Sequence, residues 1–129
     1  FARMLAAFRA GVDRNIEDAD FDSHYDLGVA FREMGLLEEA VTQFQRAVRA
    51  PGRPMRAVEA LGECFVELGR AELALEALRP VVDDEFAEKS ALPGEQLVGV
   101  LYLLGIASER TGRADAAAGF YRRVLAIDL

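Results

Sequence analysis

The sequence is poor in the residues that carry most catalytic and metal-binding chemistry. Its 129 residues include one histidine, one cysteine and no tryptophan. The single cysteine, Cys64, excludes a disulfide within the chain, and its place beside Phe65 favours a packing role. A glycine-rich phosphate loop, a His-Glu-x-x-His helix and a Cys-x-x-Cys pair are also missing. We therefore expect a protein that is not an enzyme and that has no catalytic residues, metal ion or cofactor.

The one histidine has an acidic neighbour at a spacing that metal ligands use. Asp20 and His24 stand four residues apart, which places them one helical turn from each other. Two side chains are too few to hold a metal ion in a protein. We therefore interpret His24 as a packing residue whose ring nitrogen contacts a polar neighbour.

Basic residues and long apolar runs are scarce as well. Asp and Glu outnumber Lys and Arg by 22 to 15, which gives a formal net charge of -7. This balance argues against a nucleic-acid partner, because proteins that bind a phosphate backbone usually present a basic patch. No apolar run approaches the roughly 20 residues of a membrane span, and the first residues lack the pattern of a signal peptide. We expect a cytoplasmic protein without membrane insertion.

Three copies of one apolar pattern organise the chain. Leu27-Gly28 aligns with Leu61-Gly62 and Leu104-Gly105; Gly35 aligns with Gly69 and Gly112, and Ala40 with Ala74 and Ala117. The copies are 34 and then 43 residues apart, so a nine-residue insertion precedes the third copy. A repeat of this length with two helical patterns per copy is typical of an α-solenoid.

The first half of each copy predicts a helix that approaches its neighbour closely. In the first copy, His24, Leu27, Gly28 and Phe31 share one helical face. Glycine costs a helix about 1 kcal/mol relative to alanine, so its recurrence indicates a contact that a larger side chain would block. Ser108 replaces the aromatic residue in the third copy, which predicts a weaker or wetter contact there. The glycines expected to end these helices are Gly35, Gly69 and Gly112.

The second half of each copy predicts another helix with one apolar stripe. Small residues stand where two helices would touch, and a large apolar residue follows one turn later, so the hairpin can close tightly. The stripe is formed by Ala40, Val41, Phe44, Ala47 and Val48, then by Ala74, Leu75, Leu78, Val81 and Val82, and finally by Ala117, Ala118, Tyr121, Val124 and Leu125.

These residues resemble the tetratricopeptide repeat family. The first copy follows the family pattern through residues 24–28 and then at Phe31, Gly35, Ala40, Phe44, Ala47 and Pro51. It departs from the pattern at His24, where the family often has tryptophan, and Pro51 comes one place early. The resemblance implies an all-α protein, an α-solenoid of three helix-turn-helix units preceded by one extra helix.

We divide the chain as one domain of four parts and an insertion. Residues 1–14 form an N-terminal helix, which is either half of a further unit or a cap. The three units span residues 21–52, 55–82 and 97–129, with the insertion at 83–96. There, the segment from Asp83 to Glu88 is expected to prolong the preceding helix, and Pro93 suits the first turn of the next. Because residue 1 is phenylalanine, we expect a longer parent protein.

The resemblance also implies where a partner would bind. In tetratricopeptide arrays, one flank of each first helix lines a groove that holds a peptide or a partner helix. The matching positions here combine aromatic, acidic and basic groups, so a ligand with apolar anchors and at least one basic group would complement them. They are Tyr25, Val29, Arg32, Arg56, Glu59, Glu63, Tyr102, Ile106 and Glu109. Tyr25 and Tyr102 are the strongest individual candidates, unless each packs against a neighbouring unit.

Two functions are consistent with this sequence. The first is a non-enzymatic adaptor or scaffold that binds a protein or peptide in the groove. The second is a homo-oligomerisation module, for example a homodimer, that uses apolar surface at the C-terminal end of the array. Residues expected to be exposed at that end are Leu97, Leu101, Tyr121 and Leu125.

Overall fold

The computed structural model describes residues 2–6, 20–52, 54–83 and 94–127, and the described residues form helices and turns. Residues 2–6 are helical. The later helices are α1 (Phe21–Glu33), α2 (Leu37–Ala47), α3 (Met55–Glu67), α4 (Ala71–Val82), α5 (Gly94–Arg110) and α6 (Ala114–Leu125). These are three helix-turn-helix hairpins, so the expected all-α repeat fold is confirmed.

A glycine in the left-handed region ends the first helix of every hairpin. Gly35, Gly69 and Gly112 have φ values of 78°, 75° and 77°. Residues with side chains rarely adopt this conformation, whereas glycine adopts it at no steric cost. The predicted stops are therefore confirmed, and each turn leads the chain directly back along the helix that it has left.

A second glycine in each hairpin lets the two helices touch. A methyl group added at Gly28 would lie 2.6 Å from the Phe44 ring, and one added at Gly62 would lie 2.7 Å from the Leu78 side chain. At Gly105, the added methyl would collide with the Tyr121 ring. The close approach predicted from the repeated glycines is thus present in all three hairpins.

The hairpins stack in chain order around one continuous core. Each second helix packs on the first helix of its own hairpin, and α2 and α4 also pack on the first helix of the next hairpin. In addition, α3 contacts α5. The core includes large residues from every unit, such as Phe31, Phe44, Leu78 and Leu104. Because the first helices lie side by side, their outer flanks form one surface that runs along the array.

His24 is a packing residue, as its position in the apolar pattern predicts. Its ring is fully buried, and Nδ1 lies 2.7 Å from the Oε1 atom of Gln43, which is also buried. Asp20 instead caps α1, where its carboxylate accepts hydrogen bonds from the backbone N–H and the hydroxyl of Ser23. This hydrogen bonding lowers the pKa of the Asp20 carboxyl. Among the residues that the structure describes, no group of three or more potential ligands could hold a metal ion.

The end of α4 differs from the expected continuation into the insertion. The helix stops at Val82, and Asp83 is extended with ψ near 142°. Pro80 lies in the last turn, where its missing N–H removes one hydrogen bond from the helix. The expectation that Asp83 prolongs this helix is therefore wrong, while residues 84–93, including Pro93, lie outside the described part. The next helix begins at Gly94, before the boundary placed at residue 97.

Ser108 is a buried polar residue. It is 1% exposed, and its hydroxyl has no hydrogen-bond partner among the described residues. The weaker or wetter contact expected at this position stays a prediction. A small cavity of about 60 Å³ lies beside it, lined by Leu75, Phe120 and other residues of α4 and α6. Serine is simply smaller than Phe31 and Phe65, which fill the corresponding places.

Replacing Ser108 by alanine should stabilise the protein. The change removes a buried hydroxyl without a partner, and such a group costs on the order of 1 kcal/mol. We expect the free energy of unfolding to rise by about 1 kcal/mol in urea denaturation followed by circular dichroism. A lower free energy of unfolding in Ser108→Ala would show that the hydroxyl makes a stabilising hydrogen bond.

The C-terminal hairpin exposes less apolar surface than the sequence suggested. Leu101 is 1% exposed, because it packs in the core, so its expected exposure is wrong. Leu97 and Tyr121 are partly buried, whereas Leu125 is 85% exposed. In α6, Ala117 is the one buried residue. Within the described residues, no helix has both the length and the apolar character needed to cross a membrane.

Candidate partner-binding groove

The outer flanks of α1, α3 and α5 form the surface that we call the groove. Contacts between α3 and α5, and side-chain pairs between α1 and α3, hold these helices beside one another. The repeat spacing puts three residues at one level along the groove, namely Tyr25, Glu59 and Tyr102. The groove therefore has a first junction between α1 and α3 and a second junction between α3 and α5.

A depression of about 300 Å³ lies at the first junction. Tyr25, Val29 and Phe44 supply its apolar lining together with Ala60. Charged side chains complete its lining, namely Arg32, Glu33 and Glu67. An apolar floor with a charged rim matches the usual composition of a site that takes an apolar side chain and orients it by polar contacts.

An ion-pair network fixes the arginine at the rim of this depression. Arg32 makes an ion pair with Glu63 and another with Glu67 at 2.5 Å, so one residue of α1 contacts two residues of α3. All three side chains are about one-third to two-fifths exposed. Because Glu63 and Glu67 share the positive charge of Arg32, the groove has less free negative charge than the sequence indicated.

Tyr25 packs against neighbouring residues and lines the depression as well. The Arg56 guanidinium lies 4.3 Å from the centre of the Tyr25 ring, a cation–π arrangement. The same guanidinium pairs with Asp22 at 2.9 Å. The Phe44 ring lies 5.7 Å away at a tilt of 51°. Tyr25 is thus partly buried, and Arg56 bridges α3 to α1.

Glu59 lies at the second junction in a different environment. The Glu59 carboxylate lies so close to Gly99 that it fills the space that a side chain at Gly99 would need. Within the described part of the chain, Glu59 has no hydrogen bond or ion pair. Burial, and then the negative charge of Glu63, raise the pKa of the Glu59 carboxyl. An ionised and partly buried carboxylate without a partner destabilises the folded protein.

The raised pKa of Glu59 predicts that the effect of Glu59→Gln on stability depends on pH. Because the pKa is raised above its usual value near 4.5, the folded protein binds the proton more tightly than the unfolded chain. The destabilisation of the folded protein by the ionised Glu59 carboxylate is therefore absent below the usual pKa. It appears as the pH rises through the raised pKa. We expect Glu59→Gln to stabilise the protein at neutral pH by a few tenths of a kcal/mol, the scale of one partly exposed charge interaction.

Urea denaturation at several pH values checks this prediction. The difference between Glu59→Gln and the native protein should disappear at about pH 4. Glu76→Gln on the exposed face of α4 makes the same change of charge and provides the control. A constant difference across the pH range would contradict the account of Glu59.

Tyr102 is the more accessible of the two groove tyrosines. It is 53% exposed, and its ring lies 6.1 Å from that of Tyr121 at a tilt of 48°. Burial and a hydrogen bond to Glu109 raise the pKa of the Tyr121 phenol. Glu109 is thus engaged with α6, while Ile106 is partly buried against the core.

The structure brings some of the predicted groove residues together and separates others. Tyr25, Val29 and Arg32 line the depression, Arg56 covers Tyr25, and Glu63 holds Arg32. Glu59 lies at the second junction and Tyr102 on its α5 side, while Ile106 and Glu109 lie further along α5. Groove residues that the sequence did not indicate are Phe44, Ala60, Glu67 and Gly99.

Signals for two of these residues were present in the sequence. Glu67 follows Glu63 by one helical turn and so shares its face. Gly99 stands 43 residues after Arg56, at the corresponding position of the third copy. Phe44 was identified as a core residue, and its second role as the floor of the depression depends on the stacking of hairpins.

The buried cysteine is not part of the groove. Cys64 is fully buried, and burial is the main reason that the pKa of its thiol rises to about 11. At neutral pH the thiol is therefore protonated, and it lacks the thiolate that nucleophilic or metal-binding chemistry needs. Cys64 has the packing role that its place in the helical pattern predicts.

This helical array matches a known protein family. The family model described as tetratricopeptide repeat matches residues 1–54 and, in a second window, residues 25–88. Together these windows cover the first two hairpins and more than half of the chain. No curated protein matches the chain. The third hairpin lies outside the matched windows, yet it repeats the contact of a helix glycine with a large residue of the second helix. The chain belongs to the tetratricopeptide repeat family.

Proposed function

We propose that this protein is a non-enzymatic adaptor that binds a peptide or helix of a partner protein in the groove. Tetratricopeptide repeats generally mediate protein–protein interaction, and the groove supplies a surface of suitable chemistry. The observation that carries the proposal is the depression between α1 and α3, where Val29 and Phe44 form an apolar floor beside the charged groups of Arg32 and Glu67. An apolar side chain of a partner fits this floor.

Ion pairs that hold the first junction together also support the proposed binding groove. Arg32 and Arg56 each tie α1 to α3 through ion pairs. A binding surface whose shape is fixed before the partner arrives loses less conformational entropy on binding. Tyr102 offers a second exposed aromatic contact further along the groove.

Affinity capture from lysate of the source cells tests this proposal with matched variants. Val29→Glu places a charge on the apolar floor, and the fold should tolerate it because Glu63 occupies the same position in the second copy. Leu73→Glu makes the same change at an exposed position of α4 and is the control. We expect proteins that are retained by the native chain and the control to be lost with Val29→Glu. Equal capture by all three baits would contradict the groove proposal.

A second function has one specific observation in its favour. Leu125 on α6 is 85% exposed, and α6 has its one buried position at Ala117. A second copy of the chain could cover this face and form a homodimer. Light scattering with size-exclusion chromatography should then give a mass that rises with concentration and falls back to the monomer in Leu125→Glu. A concentration-independent monomer would exclude this alternative.

A further inference from the structure

The two junctions of the groove can be compared position by position, because they come from copies of one repeat. At the first junction, Arg56 reaches from α3 to α1. Its guanidinium lies 4.3 Å from the centre of the Tyr25 ring and 2.9 Å from the Asp22 carboxylate. The chain itself therefore shows that this level of the groove accommodates a guanidinium between an aromatic ring and a carboxylate.

The second junction presents the corresponding repeat positions with different side chains, and α3 and α5 contact each other directly there. Gly99 stands at the position of Arg56, and Glu59 stands at the position of Tyr25. Gly99 thus supplies no guanidinium here, an acid replaces the ring beneath it, and Arg56 itself stands at the position of Asp22. The Glu59 carboxylate lies against Gly99 and has no cationic partner among the described residues.

Tyr102 completes the surroundings of Glu59 on the α5 side. It follows Gly99 by one helical turn, so the two positions are neighbours on the surface of α5. More than half of Tyr102 is exposed, and its described ring contact is with Tyr121 on α6. A carboxylate and an aromatic ring therefore flank the place that Arg56 fills at the first junction.

We propose that the second junction binds a basic side chain of the partner, an arginine or a lysine, between the Glu59 carboxylate and the Tyr102 ring. This inference rests on the proposed groove function and names the chemistry of its partner. Charge complementarity favours a cation, because the Glu59 carboxylate has no ionic partner among the described residues, and Glu63 shares the single positive charge of Arg32 with Glu67. An arginine can stack on a ring and donate to a carboxylate at the same time, as Arg56 does on Tyr25 and Asp22.

The position of the depression also predicts how far apart the apolar and basic residues of the partner lie. The depression lies between α1 and α3, and the basic site lies between α3 and α5, so neighbouring helix axes about 8–10 Å apart separate the two. An extended chain advances about 3.3 Å per residue. The partner segment should therefore carry an apolar residue and a basic residue about three positions apart.

Display selection of random peptides on the 129-residue protein tests the inference. We expect the selected peptides to be enriched in arginine or lysine about three positions from a large apolar residue. A synthetic selected peptide should bind about tenfold more weakly when citrulline, the neutral isostere, replaces its arginine. The same peptide should lose about as much affinity for Glu59→Gln, while the citrulline peptide should bind both proteins alike.

Two further variants separate the basic site from general groove binding. Gly99→Arg supplies the missing arginine from the chain itself, and it should remove the preference for arginine over citrulline. Glu76→Gln, with the same loss of charge on α4, should leave affinity unchanged. If selected peptides bind but Glu59→Gln weakens the arginine and citrulline peptides equally, the basic site is overturned while the groove stands. If Val29→Glu has no effect on any selected peptide, the groove itself is overturned.

Discussion

Replacing Phe44 by alanine should lower the free energy of unfolding by about 4 kcal/mol, the usual cost of deleting a buried aromatic side chain. Phe44 is fully buried on α2. Its ring lies against the backbone of Gly28 and beside the Tyr25 ring, so it joins both helices of the first hairpin and supports the floor of the depression. Urea denaturation followed by circular dichroism measures the effect.

A second substitution tests whether the glycine contact is the reason. Gly28→Ala alone should destabilise the protein, because its methyl group would lie 2.6 Å from the Phe44 ring. In the Phe44→Ala background the ring is absent, and the same methyl group should stabilise α1 by about 1 kcal/mol through its better helix propensity. A Gly28→Ala effect of the same sign and size in both backgrounds would contradict the proposed contact.

Gly62→Ala in the middle hairpin should cost about 2 kcal/mol. Three atoms of the buried Leu78 side chain would lie within 2.8 Å of the new methyl group. With three buried atoms in the way, overpacking should cost about 3 kcal/mol, the upper end of its usual range. Alanine gains about 1 kcal/mol at an ordinary helix position, which leaves a net cost of about 2 kcal/mol. The middle hairpin contacts both of its neighbours, so the loss should extend to the whole array.

Gly119→Ala is the matched control for this prediction. Gly119 lies in α6, where an added methyl group would find its nearest neighbour, an Arg122 side-chain nitrogen, at 3.9 Å. The same substitution should therefore raise the free energy of unfolding by about 1 kcal/mol. Urea denaturation should therefore show that Gly62→Ala and Gly119→Ala change the free energy of unfolding in opposite directions. A stabilising Gly62→Ala would show that α3 and α4 are further apart than described.

The helices, their ends and their packing glycines could be predicted because they depend on local rules and on repetition. Gly35 ends α1 because the turn needs positive φ, and three copies of that glycine make the pattern hard to mistake. Gly28 predicted a close contact because a glycine inside a helix is costly unless something large lies against it. His24 could be assigned to the core from its place on the apolar face, and Gln43 provides its polar neighbour.

The pairing of groove side chains could not be predicted in the same way. Arg32, Arg56 and Glu63 were identified as groove residues, but the sequence does not say which charged groups meet. Two arginines turned out to be held within the chain, whereas Glu59 has no partner among the described residues. Long side chains have many rotamers, and small shifts between stacked helices decide which pairs come within reach. The charge that the groove offers to a partner therefore depends on the stacking.

Two other departures concern the second and third units. Leu101 was expected at an exposed end, yet the longer α5, which begins at Gly94, packs on both α3 and α4 and buries it. Asp83 was expected in a helix, yet α4 ends at Val82 and Asp83 is extended. The burial of Leu101 shows that contacts between units can override the simple repeat pattern.

The three hairpins contribute different parts of the proposed groove. The first hairpin supplies most of the lining of the depression, including the charged Arg32 and Glu33. The middle hairpin supplies Glu67 and the carboxylate of Glu59, and the third supplies Tyr102. A partner segment that uses both junctions must therefore contact all three first helices. If the proposed groove binds its partner in this way, recognition requires an intact array and not a single hairpin.

The most direct test of the groove is the footprint of a bound peptide on the protein. A peptide obtained by display selection is titrated into isotope-labelled protein, and chemical-shift changes and intermolecular contacts are mapped by nuclear magnetic resonance. We predict contacts on α1, α3 and α5, with Val29, Glu59 and Tyr102 among the affected residues and the exposed face of α4 unchanged. Contacts confined to α6 around Leu125, with α1 and α3 unaffected, would contradict the central claim.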